Sequence, residues 1–232
     1  IAIDSPAASG AGTQAKLISK YFKLYYLDTG KLYRILGKIF LKDNSKVSYL
    51  VFKNKIKKTK PNELNNRNLL KNDIGMAAAY LAKDKKIRKF VNEYQKKIAE
   101  RPPRGFKGVC LDGRDITYNI MPNADVKFFM TASTNVRAKR RFEELKKLNH
   151  KISYKEVINS IKARDKSDFT RKISPLKKTK DSILIDSSNM TIKKCFIKIY
   201  CNTVTISVTI PNIILCHTKT LNSCLFKPSK SL

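Results

Sequence analysis

The chain has 232 residues, 42% of them hydrophobic, so it is long enough for one domain with a buried core. Its net charge of +31 attracts anions, but Lys is spread along the whole chain among many Asn and Ile residues and does not mark one nucleic-acid-binding face. The Cys and His residues do not stand at zinc-finger spacing, and no apolar run reaches about 18 residues, which argues against a structural zinc site and a membrane-spanning helix.

Short strand and helix patterns alternate from the beginning of the chain. Residues 1–4 predict a first strand and residues 24–27 a second, and apolar residues at helical spacing follow each of them. The polar, Lys- and Asn-rich residues 43–68 predict an irregular insertion. A helical segment in one or two pieces then runs from Asp73 to Ala99 and ends before two consecutive prolines.

The second half of the chain continues this alternation. Three more strands are predicted, at residues 109–111, 126–130 and 182–185. A helix that begins at Ser133 or Thr134 runs to Leu148. Another helix begins at the capping box of residues 153–156 and ends near Arg164. Five short strands that alternate with helices predict an α/β fold, in which a parallel sheet has helices on both faces and ligands bind beyond the carboxyl ends of the strands.

The two ends of the chain differ from the middle. Ile1 rather than Met begins the sequence, within a strand pattern, so we expect a trimmed N terminus. No export signal precedes it, and we expect a cytoplasmic protein with reduced thiols. No acidic residue follows Asp186, and residues 200–232 lack clear helical periodicity. We expect one domain over residues 1–199, followed by an atypical tail that is either a real extension or sequence not selected for this fold, such as a reading-frame artefact.

A loop of small residues joins the first strand to the first helix. We call it the phosphate loop, and it consists of Ser5, Pro6, Ala7, Ala8, Ser9, Gly10, Ala11, Gly12 and Thr13. Such a loop lets backbone N–H groups close around phosphate oxygens, and the helix N terminus adds positive potential. It departs from the GxxxxGK[ST] pattern because Ser5 replaces the first Gly and Ala11 replaces the Lys, so a plain tight turn would also explain it when it is taken alone.

Three further motifs follow in order along the chain. LDTGKLYR ends at Arg34 after the second strand, LDGRD ends at Asp115 after the third, and RDKSDFTR begins at Arg164 after a capped helix. With the phosphate loop before them and an RAxRR helix between the last two, residues 1–195 resemble the bacterial cytidylate kinase family. The resemblance implies a P-loop three-layer fold with a five-stranded parallel sheet flanked by helices, a short acceptor-site insertion at residues 43–72 and a mobile lid segment at residues 164–175.

The same resemblance implies an activity. The protein would transfer the γ-phosphoryl group of ATP to CMP or dCMP in pyrimidine nucleotide metabolism. Mg²⁺ would accompany ATP, with the Thr13 hydroxyl as the nearest candidate contact and no dedicated metal site in the protein. We expect a monomer that acts on small-molecule substrates, without a membrane or nucleic-acid partner. The acceptor phosphate is already anionic near neutral pH, so the chemistry requires no general base.

The family resemblance also implies roles for individual residues. ATP would be held by the phosphate loop and Arg137. The acceptor nucleotide would be held by ten residues, which are Asp28, Thr29, Tyr33, Arg34, Arg88, Arg114, Asp115, Arg164, Asp168 and Arg171. Arg34 is expected on the acceptor phosphate, Arg88 on the cytosine or the monophosphate and Asp168 on the sugar. The arginines Arg114, Arg164 and Arg171 would neutralise the phosphoryl group in transfer, because the guanidinium fork binds two oxygens at once.

Two departures from the family pattern leave alternatives open. Ala11 lacks the ammonium that a P-loop normally offers to the β- and γ-phosphates, and we predict that Lys31 restores this charge from the end of a strand that neighbours the first, with Lys16 as the alternative. Ala79 stands where the family commonly has a Ser that contacts cytosine. The alternatives are a nucleotide-binding pseudokinase, a nucleoside monophosphate kinase of different base preference, and a basic nucleic-acid-binding protein.

Overall fold

Five parallel strands form the centre of the fold. The structure, a computed structural model, describes residues 1–43, 46–60, 63–147 and 152–209, and within them the sheet has the strand order β2-β3-β1-β4-β5. The strands are β1 (Ala2–Asp4), β2 (Tyr25–Asp28), β3 (Val109–Gly113), β4 (Lys127–Thr131) and β5 (Ile183–Asp186). All four strand pairs are parallel, which confirms the predicted α/β fold with a five-stranded parallel sheet flanked by helices.

The order of the strands corrects one expectation. The strand before Lys31 was predicted to neighbour the first strand, but β2 pairs with β3, and β3 lies between β2 and β1. Asp28 at the end of β2 is consequently in register with Asp112 of β3. The two motifs therefore end side by side at the carboxyl edge of the sheet. Asp4, the last residue of β1, is in register with Gly113 of β3 at the same edge.

Helices cover both faces of this sheet. Among the described residues there are eight α-helices: α1 (Ala11–Phe22), α2 (Thr29–Lys42), α3 (Tyr49–Lys57), α4 (Asn72–Leu81), α5 (Lys85–Glu100), α6 (Thr134–Lys147), α7 (Tyr154–Thr170) and α8 (Ile192–Thr209). Ala2 and Leu111 belong to the core under α2 and α5, whereas Ile3 and Cys110 belong to the core under α1 and α8. Successive strand residues point to opposite faces, so both faces of each central strand are buried.

Local signals explain where several helices begin. The Asp28 carboxylate accepts the N–H of Lys31 and caps α2, and Asp84 caps α5 in the same way with two N–H donors. The predicted capping box of Ser153 and Glu156 opens α7. Each such cap satisfies amides that lack a partner in the helix and is worth about 1 kcal/mol.

The insertion of residues 43–72 is more ordered than its composition predicted. It contains α3 and two 3₁₀ helices, Glu63–Asn65 and Arg67–Leu70, although residues 44–45 and 61–62 lie outside the described part. Ser48 caps α3, and Phe52 and Ile56 bury one face of this Lys-rich helix against the core. The prediction of an irregular segment was wrong because two apolar residues spaced four apart are enough to dock a helix when a core lies beside it.

One predicted helix end was also wrong. The segment from Asp73 to Ala99 does form two helices, α4 and α5, but α7 continues past Arg164 to Thr170. The first half of the lid segment is therefore helical, and its mobility stays a prediction. Helix α8, which was not predicted from the sequence, crosses the expected domain boundary at residue 199 and ends at Thr209, although this part of the tail lacks clear helical periodicity. The remainder of the tail and the predicted helix end at Leu148 lie outside the described residues.

No helix in the described part of the chain is long and apolar enough to cross a membrane.

Candidate functional site

The carboxyl edge of the sheet brings the predicted motifs together. The N–H of Ser5 donates to the Gly113 carbonyl at 3.1 Å, and the Thr29 hydroxyl donates to the Asp112 carbonyl at 2.8 Å. Gly113 is required at this junction, since a Cβ there would lie 2.5 Å from the Thr29 hydroxyl oxygen. The ends of β1, β2 and β3 are thus locked to one another, and the loops that leave them share one edge.

Asp4 strengthens the same junction from inside the core. Its fully buried carboxylate accepts the N–H of Ile116, the N–H of Thr117 and the Thr117 hydroxyl, at 2.6 to 2.9 Å. Burial raises the pKa of Asp4 to about 6, although the three hydrogen bonds favour the ionised form. These contacts fix the segment that follows Arg114 and Asp115 relative to the phosphate loop.

The phosphate loop leads directly into the N terminus of α1. Gly10 at the N-cap has a φ of +92°, which a residue with a side chain rarely adopts, and it offers no side-chain oxygen to the first amides of the helix. Ser9 Oγ accepts the N–H of Ala11 at a long 3.4 Å. The first turn of α1 thus has amides that the N-cap side chain does not bind. These amides and the helix dipole make the turn suitable for binding an anion.

Two carboxylates and a lysine stand beside this helix start. A Cβ on Gly12 would lie 3.4 Å from Asp112 Oδ2 and 3.3 Å from the Tyr26 hydroxyl. Burial and then the neighbouring Asp28 raise the pKa of Asp112, and its Oδ1 accepts no hydrogen bond from the described residues. Lys31 is half-buried here, and burial lowers its pKa against the opposing effect of Asp28.

Asp168 pairs with three arginines from the ends of β3 and α7. Arg114 Nε donates to its Oδ2 at 2.8 Å, Arg171 Nη1 donates to its Oδ1 at 3.1 Å, and Arg164 Nε lies 3.9 Å away. Burial opposes ionisation, but Arg114, Arg164 and Arg171 together lower the pKa of Asp168. Arg164 Nε is buried and has no hydrogen-bond acceptor among the described residues. The motifs at the ends of β3 and α7 are therefore joined through one carboxylate.

Arg34 completes what we call the arginine cluster, formed by Arg34, Arg114, Arg164 and Arg171. Its Nη1 donates to the carbonyls of Leu69 at 2.6 Å and Lys71 at 3.2 Å, which ties it to the insertion. Burial lowers the pKa of Arg34 to about 10 and that of Arg164 to about 9, and nearby guanidinium groups contribute to both shifts. Arginine stays protonated at neutral pH, so both guanidinium groups remain charged in spite of their burial.

A buried ion pair lies next to the arginine cluster. Arg88, 4% exposed, donates from Nη1 to Asp115 at 3.1 Å and from Nε to the Ala82 carbonyl at 3.0 Å. Its guanidinium lies over the Tyr33 ring, 5.6 Å from the ring centre. Burial raises the pKa of Tyr33 to about 12, and its hydroxyl has no hydrogen-bond partner among the described residues. An orphaned hydroxyl and a guanidinium side by side are groups that can recognise a polar base.

The site residues that the sequence predicted fall into two sets. The four members of the arginine cluster, Arg88 and Asp115 lie close to one another, and their contacts with nucleotides stay predictions. Asp28 and Thr29 are engaged mainly in holding β2, β3 and α2 together.

Arg137 is engaged within the protein. Each of its five N–H donors has a protein acceptor, including the Ala7 carbonyl at 3.2 Å and both carboxylate oxygens of Asp165. It is 4% exposed and links the phosphate loop to α7, and its direct contact with ATP stays a prediction.

Two residues of the recognised motifs lie at the site although neither was assigned to a substrate. Arg141, the last residue of the RAxRR motif, donates to the Leu70 carbonyl at 2.7 Å and contributes to the lowered pKa of both Arg34 and Arg164. Its spacing of four residues from Arg137 places both on one side of α6. Asp112 belongs to the LDGRD motif, and its place beside Asp28 depends on the register between β2 and β3, which no local pattern reveals.

Comparisons with known proteins agree with the geometry. A family model described as cytidylate kinase matches residues 1–204. The cytidylate kinase of Thermosipho melanesiensis is 37% identical over 204 residues, which cover 84% of this chain and 91% of the relative. The cytidylate kinase of Bartonella tribocorum is 39% identical over 199 residues, 84% of this chain and 90% of the relative. The cytidylate kinase of Mesomycoplasma hyopneumoniae strain 7448 is 39% identical over 205 residues, which cover 82% of this chain and 87% of the relative.

Proposed function

The chain belongs to the cytidylate kinase family, and from this premise we propose how its own residues carry out the reaction. The protein transfers the γ-phosphoryl group of ATP to CMP or dCMP and forms CDP or dCDP and ADP. It is therefore a phosphotransferase of pyrimidine nucleotide metabolism whose acceptor is a phosphate group. The observation that carries the proposal is the convergence of three members of the arginine cluster, Arg114, Arg164 and Arg171, on the buried carboxylate of Asp168.

ATP binds with its phosphates at the phosphate loop in this proposal. The uncapped amides at the start of α1 would face the β- and γ-phosphates, as at other helix N termini that bind anions. Arg137 acts as a positioning residue here, because it holds the Ala7 carbonyl of the loop and Asp165 of α7 in one hydrogen-bond network. The Arg137 side chain thereby links the first residues of the lid segment to the phosphate loop.

The acceptor nucleotide binds between the insertion and the ends of β2 and β3. Its phosphate would take the place that the Leu69 and Lys71 carbonyls now have on Arg34, because a phosphate dianion is the stronger acceptor for a guanidinium. Its base would lie at Arg88, Asp115 and the free Tyr33 hydroxyl. Asp168 would accept from the sugar while it keeps its arginines in place.

Catalysis follows from this placement of charge. Phosphoryl transfer needs the two phosphates in line and cations near the equatorial oxygens, and it needs little covalent help from the protein. Arg114, Arg164 and Arg171 are held by one carboxylate, so their side chains are ordered before substrate arrives. Ordering in advance lowers the entropy cost of gathering three long side chains around the phosphoryl group in transfer.

Magnesium is the metal that ATP chemistry implies. Asp112 fits this role, since its Oδ2 lies beside the helix start at Gly12 and its Oδ1 is buried without a hydrogen-bond partner among the described residues. Carboxylate oxygen and water are the ligands that Mg²⁺ prefers, and the exposed Thr13 hydroxyl stands one residue further along the helix. When bound, Mg²⁺ would neutralise charge on the β- and γ-phosphates. Asp112 and Thr13 are the residues of this chain that would hold it.

We further propose that the enzyme works as a monomer in the cytoplasm. All residues of the proposed site come from one chain, and its substrates ATP and CMP are intracellular nucleotides. The pseudokinase and nucleic-acid-binding alternatives are not favoured, because the family match covers the whole described domain.

An acceptor panel tests the proposal. Purified protein with ATP and Mg²⁺ should convert CMP and dCMP to diphosphates, and should act on UMP and AMP more slowly. The Arg88→Met variant should lose most of the preference for CMP over UMP, because the guanidinium beside Asp115 is removed. Arg104→Met, an exposed change of the same type, should keep the wild-type preference. Absence of diphosphate product from every acceptor would contradict the proposal.

A further inference from the structure

We propose that Lys31 supplies, from the start of α2, the positive charge that Ala11 removes from the phosphate loop. The inference rests on the function proposed above and adds a catalytic residue to it. At the place where a P-loop normally presents an ammonium to the β- and γ-phosphates, this chain has a buried methyl group at the first residue of α1. The donor site would otherwise depend on backbone amides and the metal alone.

Lys31 is held at this edge of the sheet by its own helix start. Its N–H donates to Asp28 Oδ1 at 3.2 Å, and its Nζ lies 4.0 Å from Asp28 Oδ2. The side chain is only 13% exposed, although α2 has solvent-facing positions such as Lys38. A Lys whose stem is buried and whose ammonium has a loose carboxylate partner can move to a stronger anion when one arrives.

The carboxylates connect Lys31 to the phosphate loop. Asp28 and Asp112 are register partners on β2 and β3, and both interact electrostatically with the Lys31 ammonium. Asp112 Oδ2 lies 3.4 Å from the position of a Cβ on Gly12, the residue after Ala11. Asp112 is thus a neighbour of both the Lys31 ammonium and the first turn of α1.

Lys16 is the competing source of charge, and the geometry favours it less. It is exposed on α1, and its Nζ lies 6.0 Å from the centre of the Tyr26 ring. A helical side chain points back toward the N terminus, so Lys16 can reach the region of Tyr26, but its ammonium stays in contact with water. Lys31 is the more enclosed of the two and has two carboxylates to orient it.

The test compares turnover and binding in a small set of variants. Lys31→Met should lower kcat about a hundredfold or more, as loss of a cation from the transferring phosphates does in related enzymes. Ala11→Lys in the Lys31→Met background should recover at least about tenfold of that loss, because the charge returns to the usual position. Lys31→Arg, which keeps a cation, should remain faster than Lys31→Met. Lys38→Met is the matched control on the exposed face of α2 and should match wild type.

Binding measurements separate a role in catalysis from a merely structural role. The affinity of Lys31→Met for a non-hydrolysable ATP analogue should fall, while its affinity for CMP alone should stay within about threefold of wild type. Equal loss of CMP affinity would overturn the inference, because it would indicate damage to the LDTGKLYR motif as a whole. Turnover of Lys31→Met within about threefold of wild type would also overturn it and leave the proposed function standing. A wild-type protein that becomes active only with Ala11→Lys would refute the role of Lys31, whereas inactivity of both proteins would refute the proposed function.

Discussion

The lid side of the transfer site and its phosphate-loop side supply positive charge in different ways. On the lid side, Arg114, Arg164 and Arg171 come from two distant segments and are held by the single carboxylate of Asp168. On the phosphate-loop side, charge comes from backbone amides at the start of α1 and, in our proposal, from Lys31 between two carboxylates. The first arrangement has several cations around one carboxylate, and the second has one ammonium beside two carboxyl groups.

This difference shows how each side can tolerate change. The lid side depends on contacts between distant residues, so the loss of one partner affects the whole set. In our proposal the phosphate-loop side depends on the Lys31 ammonium, which comes from the end of β2, because the ends of parallel strands lie at one edge of the sheet. In this proposal, a cation that is missing from one loop can be supplied by another loop at the same edge of the sheet.

The largest effect is expected from a change on the lid side. Arg164→Met should lower kcat about a thousandfold, because a guanidinium beside the phosphoryl group in transfer is removed. The measurement is steady-state turnover with CMP as acceptor. Lys166→Met, an exposed change on the same helix, should retain wild-type turnover. If Arg164→Met lowered kcat no more than Lys31→Met does, the lid side would not contribute more to turnover than the phosphate-loop side. The expected order of effects would then be wrong.

A second prediction concerns the anion that organises the lid side. Asp168→Asn should lower the free energy of unfolding by about 3 kcal/mol, because guanidinium groups with little exposure lose their shared carboxylate. Thermal unfolding in chloride and in phosphate buffer would measure this. Phosphate should restore part of the loss in the variant and change wild type less, since it can take the place of the carboxylate. Equal stabilisation of both proteins by phosphate would argue against Asp168 as the organising anion.

The smallest effect is expected at the link between the two sides. Arg137→Lys should raise the KM for ATP about tenfold, because Ala7 of the phosphate loop loses a donor that also binds Asp165. Asp165→Asn should have a similar effect, and the double variant should be no worse than either single variant, as residues that act through one contact do in a double-mutant cycle. If Arg137 contacted ATP directly, Asp165→Asn would leave the KM for ATP unchanged.

Much of the fold was predictable because its signals are local. The five strands, the phosphate loop and the capping box before α7 are each encoded in a few adjacent residues, and all were found at or near their predicted positions. The predictions for α3 and for the end of α7 were wrong for one reason. Phe52 and Ile56 are helical because a core accepts them, and the extension of α7 carries the buried Asp168, which pairs with Arg114 of a distant segment. A weak local pattern reveals neither the position of that core nor that partner.

The amino-acid sequence by itself determined the family, the order of the motifs and the identity of the arginines that meet at the site. Only the tertiary structure decided that β3 separates β2 from β1, that Asp112 stands beside Gly12 and Lys31, and that every donor of Arg137 is already taken. The physical reason is that a motif specifies which groups a chain carries, whereas strand order and packing set which of those groups share a low-dielectric space. Packing therefore determines which residues far apart in sequence become partners. The charge state of each group at this site depends on those partners.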